Sequence, residues 1–191
     1  MYDELNKKQI FVKNQKTHIN FSQKKRAYVF NKLVKNAIEI DDKDFGFISF
    51  SKPVWHGEEK TKLGYVIMTA IHDKKTFVHA SDIQLLNKDA LNELIRFDPD
   101  IVFASGPPTY LRKINTNYAI KFVDHLISKT RIKTLILDHH LLRDLNYRSF
   151  FNHFRDYDLK IITAAEFMKK EILQLEAHRK EFYENKNNKD L

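Results

Sequence analysis

Cysteine is absent from the 191-residue chain, which excludes disulfide scaffolds, thiolate zinc sites and cysteine nucleophiles. Any bound metal must therefore be held by imidazole and carboxylate. Glycine and proline are scarce, four of each, so each marks a real bend: Pro53, Gly57, Gly64, Pro99 and the run Gly106-Pro107-Pro108 punctuate the ends of apolar segments. No apolar run reaches the roughly 18–20 residues that a membrane span requires; the longest runs from Leu63 to Ile71. The opening Met1-Tyr2-Asp3-Glu4 has neither the charge nor the apolar character of an export signal, and the expected location is the cytoplasm, with no membrane contact. Internal repeats, low-complexity linkers and a glycine-rich phosphate loop are also missing.

What is present is ordinary for a globular chain, with 42% hydrophobic and 30% charged residues. The length suits one core, so a single domain is expected over residues 1–185 with a frayed Asn-Lys-rich tail at 186–191. Lys and Arg outnumber Asp and Glu by 33 to 25. That balance suits polyanionic partners, nucleic acid included, and serves solubility equally well.

Hydrophobic periodicity divides the chain in two. Phe21 to Asn36 carries Phe21, Tyr28, Val29, Leu33 and Val34 at helical spacing among Lys and Arg, with Asn20 or Ser22 placed as cap, and predicts a basic amphipathic helix. Residues 37–40, 45–51, 63–71 and 76–80 read as strands that pair antiparallel, with a hairpin turn at His72-Asp73-Lys74-Lys75. Beyond Asp82 helices and strands alternate: helix 87–96, strand 101–104, helix 115–128, strand 135–137, helix 145–156, strand 159–162 and a long charged helix over 164–185. This is α/β grammar.

Three stretches place a metal-ligand type of residue directly after an apolar strand: Pro53-Val54-Trp55-His56-Gly57, Val78-His79-Ala80-Ser81-Asp82 and Leu135-Ile136-Leu137-Asp138-His139-His140. In layered α/β folds the ends of buried strands are where distant side chains converge on a cleft. A lone histidine such as His56 is more often a hydrogen-bonded surface or cap residue, and Ser81-Asp82 alone reads as a turn. Adjacent imidazoles at a strand end are rarely demanded by packing. Strand alternation would turn only one of His139 and His140 toward a common site. Ser105-Gly106-Pro107-Pro108-Thr109-Tyr110 is either a strand-to-helix turn or a rigid pocket wall. His18, His72, His125, His153 and His178 read as solvated.

Taken as an ordered set, certain stretches resemble an uncharacterised, largely archaeal family of metallo-β-lactamase-fold hydrolases. They are Ile19-Asn20-Phe21-Ser22-Gln23-Lys24-Lys25-Arg26-Ala27-Tyr28, His56-Gly57 through Lys62-Leu63-Gly64-Tyr65-Val66, His79-Ala80-Ser81-Asp82-Ile83-Gln84, Ser105 to Leu111, and Leu137-Asp138-His139-His140-Leu141-Leu142-Arg143-Asp144. The resemblance implies an α/β fold, the C-terminal part of an αββα sandwich, with a two-metal site. Zinc is the default cofactor, with iron or manganese also suited to such ligands. His56 would join the first metal, Asp82 would bridge the two, and His139 or His140 would hold the second, strand geometry favouring His139. The early His-x-His-x-Asp-His motif of that superfamily is absent from this sequence.

The resemblance therefore implies the C-terminal subunit of a split metal-dependent hydrolase, completed by a separately encoded N-terminal polypeptide that carries His-x-His-x-Asp-His, or by a homo-oligomer. The alternative is a non-catalytic module that binds nucleic acid or protein through the basic helix, using Lys24, Lys25, Arg26, Tyr28 and Lys32. The triplet Asp138-His139-His140 also resembles that of the phosphoesterases named for it, whose acidic ligands on earlier strands are matched here chiefly by Asp82.

Overall fold

The computed structural model describes residues 8–34 and 36–187. The described chain opens with β1 (Ile10–Val12), α1 (Phe21–Leu33) and β2 (Ala37–Glu39). There follow β3 (Ile48–Phe50), β4 (Val54–Trp55), β5 (Tyr65–Val66), β6 (Thr69–His72) and β7 (Thr76–His79). Helix and strand then alternate through α2 (Lys88–Phe97), β8 (Ile101–Ala104), α3 (Thr116–Lys129) and β9 (Thr134–Leu137), a 3-10 turn at Leu141–Arg143, α4 (Arg148–Asn152), β10 (Lys160–Ile162), α5 (Ala164–Phe167) and α6 (Arg179–Asn187).

Six strands form one mixed sheet in the order β10-β9-β8-β7-β6-β3. β7 to β10 run parallel, because α2 and α3 supply the crossovers that parallel neighbours need. β6 and β3 join antiparallel through the hairpin at Asp73–Lys75 and a longer return. The chain is thus mixed α/β around a central mixed sheet. Among the described residues the remaining sheets are small: β1 with β2, and β4 with β5.

The two faces of the large sheet differ. Strand alternation and register align Ala70 with Val78, Val102 and Leu135 on one face. These side chains are fully buried against Ala90, Leu94 and Phe97 of α2 and Ala119, Phe122, Val123 and Leu126 of α3. The opposite face carries Ile71, Phe77, His79, Ile101 and Phe103; Phe77, Ile101 and Phe103 are half-buried, and Ile71 and His79 are exposed. Phe50 and Ile136 share this face by register and are buried, 3% and 2% exposed, so packing covers it at β3 and β9 and leaves the strands between them partly open.

Capping residues set the helix starts. Asn20 accepts the Gln23 amide at 2.8 Å while the Gln23 side chain accepts the Asn20 amide at 3.0 Å, a reciprocal capping box at α1. The start of α1 is also tied to the loop before β5, since Asn20 Nδ2 donates to Leu63 O at 2.7 Å and Gln23 Nε2 to Tyr65 O at 3.1 Å. The amphipathic reading of this helix is corrected here. None of its residues is buried, and Phe21, Tyr28, Val29 and Leu33 lie exposed among its cations, Phe21 at 86%.

Other departures come from long-range bonds that periodicity does not register. The strand expected over 63–71 is broken at Met68, whose carbonyl accepts the Ser51 amide at 3.0 Å and whose amide donates to Ser51 Oγ at 2.8 Å, so β5 pairs with β4 and β6 with β3. The long helix expected over 164–185 is interrupted by left-handed backbone at Lys169 and Gln174, and the Gln174 amide donates to Leu142 O and Asp144 O. The helix expected over 145–156 shrinks to α4. The frayed tail expected at 186–191 begins inside α6, and residues 188–191 lie outside those described. His72, read as solvated, is part-buried and faces Ser49 Oγ at 2.6 Å.

Leu135, fully buried at the centre of the covered face, sets a stability test. Leu135→Ala is predicted to cost about 2–5 kcal/mol, read by urea denaturation. Leu175→Ala, at a side chain 58% exposed, should change it by less than about 0.5 kcal/mol.

Candidate metal centre

The parallel strands β7, β8 and β9 end at the same edge of the sheet, and the loops leaving them carry the polar residues. Asp82 lies three residues beyond β7, and His139 and His140 lie just beyond β9. His56 arrives on the turn that follows β4. Ser105, the first residue after β8 and fully buried, fastens these loops together. Its N–H donates to Ser81 O at 2.9 Å and its Oγ to Ile83 O at 3.0 Å, while its carbonyl accepts the amides of His140 at 3.1 Å and Leu141 at 3.0 Å.

The backbone around Asp82 is unusual. Ser81 and Leu85 hold φ of 45° and 61° without being glycine, a conformation that L residues adopt at a cost and that clusters at functional sites. On the His56 side, Gly57 has φ of 82°, and a Cβ there would sit 2.8 Å from Gln84 Cδ. Buried Asn87 caps α2 by accepting the Ala90 amide at 2.8 Å and holds the histidine turn by donating to Trp55 O at 3.0 Å and Gly57 O at 2.7 Å.

These constraints gather imidazoles around one carboxylate. His56 Nε2 lies 3.6 Å from Asp82 Oδ2, and His139 Nε2 and His140 Nε2 lie 3.0 Å and 3.9 Å from Oδ1. His56, Asp82 and His140 each offer one donor atom, and all three atoms fall within 4.8 Å of one another. His56 and His140 are largely buried, with side chains 14% and 12% exposed, whereas His139 is 46% exposed at the edge. Alternation does not separate the two neighbouring histidines because β9 stops at Leu137 and both sit in a turn. Both rings reach Asp82, and His140 rather than the favoured His139 completes the compact trio.

The donor set fits a cation. The Nε2 atoms of His56 and His140 face Asp82, and two imidazoles with a carboxylate form a ligand set suited to zinc, iron or manganese. Nδ1 of each ring is buried with no hydrogen-bond partner among the described residues. Burial lowers the His140 pKa to about 4, helped by His139, Arg143 and His56 and opposed by Asp82, so at pH 7 its ring is neutral and its lone pair is available. The close approach of His56, with His139 and His140 adding, holds the Asp82 carboxyl below the ordinary carboxylate range despite partial burial.

Two residues of the same stretches lie outside the trio. His79 stacks on Phe103 with ring centres 5.3 Å apart on the open face of the sheet, and burial lowers its pKa against the pull of Asp82. Asp138, whose pKa burial raises, lines a separate hollow with Leu142, Ala165 and Leu173. The trio faces a cavity of about 480 Å³ whose walls include Gln84, Pro108, Tyr110, Leu111 and Arg143. The Gly106-Pro107-Pro108 turn is therefore also a pocket wall. Ser105 and Gln84 stand in stretches named from the sequence without a role of their own, and Asn87 only as a helix start; a polar residue at the end of an apolar strand was the one signal for Ser105.

The depressed His140 pKa fixes a sign for pH. Its unfolded value is near 6.5 and its folded value near 4, so between these the unfolded chain binds the extra proton, and acidification through that window destabilises the fold. The melting temperature of metal-free protein is predicted to fall as pH drops from 6.5 to 4, and His140→Asn should flatten the slope. His79 contributes with the same sign and is unaffected by that substitution.

No family model matches the chain, and no solved structure matches it. Curated archaeal proteins do. The UPF0282 protein of Pyrococcus horikoshii is 43% identical over 191 residues, covering 92% of this chain and 60% of its own length. That of Pyrococcus furiosus is 42% identical over 194 residues, covering 95% and 61%. The Methanopyrus kandleri protein is 38% identical over 192 residues, covering 91% and 64%. The chain is thus similar to archaeal UPF0282 proteins over nearly all of itself, and it spans about three fifths of the length of these relatives.

Proposed function

We propose that this chain forms the C-terminal part of a metal-dependent hydrolase of metallo-β-lactamase type, and that an N-terminal part bearing the further ligands completes its site. The observation that carries this reading is the convergence of His56, Asp82 and His140, from three loops far apart in sequence, to donor atoms within 4.8 Å. His56 and His140 would hold the ion as neutral ligands, and Asp82 would supply the negative charge. His139, from its exposed edge, would serve a second ion next to the same carboxylate. The chemistry such ions supply is an activated water and a polarised ester or phosphoryl oxygen.

Two features support the need for a complement. His-x-His-x-Asp-His, the usual source of further ligands in that superfamily, does not occur in the sequence. The partly open middle of the sheet face opposite α2 and α3, with Ile71, Phe77, Ile101 and Phe103, presents apolar surface of the kind that a second layer buries. A polypeptide seated there would add the missing half of an αββα sandwich.

Metal content tests the reading directly. After incubation with zinc or manganese and desalting, elemental analysis of the wild-type chain should find bound metal. His56→Ala, Asp82→Ala and His140→Ala should each weaken binding roughly tenfold or more, with His139→Ala weaker in effect. Metal retention by the Asp82→Ala, His140→Ala double variant would remove the basis of the proposal. In a complex with the complementing polypeptide, Asp82→Ala should abolish hydrolysis while circular dichroism stays unchanged.

A second reading rests on α1, where Lys24, Lys25 and Arg26 stand beside exposed Phe21 and Tyr28, and Lys32 lies 4.3 Å over the Tyr28 ring. A nucleic-acid-binding module would use this helix, and its affinity would fall steeply with salt. Binding of single-stranded RNA that is lost in a Lys24→Glu, Arg26→Glu variant and indifferent to Asp82→Asn would favour this reading over the hydrolase.

A further inference from the structure

His56 and Asp82 form a wall shared by two cavities. One, of about 420 Å³, is also lined by Arg26 and Lys62. The other, of about 480 Å³, has an apolar lining of Leu63, Pro108, Leu111 and Ile114, with Arg143 set among them and exposed Glu58 at the rim. Arg143 lacks the partner that a guanidinium usually has. Its Nε is buried with no hydrogen bond, its Nη1 donates to the Tyr110 hydroxyl at 3.3 Å, and among the described residues no carboxylate lies within 4.0 Å of it. The neighbouring carboxylate, Asp144, is engaged by the Thr109 hydroxyl at 2.6 Å.

A buried Nε–H with no acceptor costs free energy that an incoming anion would recover, and the planar guanidinium fork matches phosphate or carboxylate oxygens. Cations line both cavities that His56 and Asp82 border, Arg143 in one and Arg26 with Lys62 in the other. A phosphoryl group carries up to two negative charges and suits a site with several cations, whereas a carboxylate carries one.

We infer that the substrate acted on at this cluster is a phosphate ester with an apolar body, and that Arg143 binds its phosphoryl oxygens while Leu63, Leu111 and Ile114 take the body. This deepens the hydrolase reading and rests on it for the reaction, though not for the binding. In the reaction a water oxygen bonds to phosphorus and the phosphorus–oxygen bond to the apolar alcohol breaks. One water proton goes to the departing alkoxide, and the other stays on the released phosphate.

Phenylphosphonate, whose carbon–phosphorus bond resists hydrolysis, is the probe. Its affinity is to be measured by calorimetry on the full chain, with and without zinc, in wild-type protein, Arg143→Gln and Arg143→Lys. Benzoate and benzyl alcohol serve as controls. Arg143→Gln should weaken phenylphosphonate roughly tenfold or more, leave benzyl alcohol unchanged and leave zinc stoichiometry unchanged, with Arg143→Lys intermediate. Equal phenylphosphonate affinity in wild type and Arg143→Gln overturns the inference, as does benzoate binding as tightly as phenylphosphonate. Should Arg143→Gln fail to fold, unchanged affinity in folded Arg143→Lys overturns it equally. Arg143-dependent binding by a chain that takes up no zinc upholds the anion site and removes the hydrolase. Zinc uptake with Arg143-independent binding does the reverse.

Discussion

Everything at the candidate centre depends on the way Ser105 is satisfied. A buried residue at the end of β8 spends its amide, hydroxyl and carbonyl on the loops to either side, one bearing Asp82 and the other His139 and His140. Those bonds substitute for water that burial has removed, so none can be given up without leaving a polar group stranded. The carboxylate and the late imidazoles are therefore held in mutual register by main-chain atoms. Asn87 does the same for His56 from the start of α2, and in this way the hydrophobic packing of α2 on the sheet is transmitted to the position of a ligand.

The electrostatic character of the site follows from that confinement. Three imidazoles surround one carboxylate in a partly dry space: burial, with His139, Arg143 and His56 adding, keeps the His140 ring neutral at pH 7, while the close approach of His56 holds Asp82 ionised against the pull of burial. A neutral imidazole and an ionised carboxylate are the forms a divalent ion needs. Among the described residues no carboxylate lies within 4.0 Å of Arg143, and its guanidinium suits an anionic visitor.

Much of the fold could be read from residue order. Lys88–Phe97, Ile101–Ala104, Thr116–Lys129 and Thr134–Leu137 match their expected spans to within a residue, because Ala90, Leu94, Phe122 and Leu126 recur on one helical face and the strands are short apolar runs. What escaped was set by bonds across the chain. Ser51 splits the strand around Met68, and Gln174 turns a helical pattern back toward Leu142 and Asp144. For α1, exposed apolar residues mimicked an amphipathic face that nothing in the described chain covers. The candidate site was legible as ligand types at strand ends, whereas the pairing of His140 with Asp82 was not, since alternation lapses where β9 gives way to a turn.

Ser81 and Leu85 bracket the Asp82 loop with left-handed backbone that carries side chains instead of glycine. Glycine would adopt those angles more cheaply, but it would also let the segment wander among many others. Keeping Cβ atoms there narrows the range of paths open to the loop and confines the carboxylate to a small arc. The chain thereby gives up some folding free energy for positional sharpness, and the segment 81–85 is where relaxing substitutions would raise thermal endurance while blurring the site.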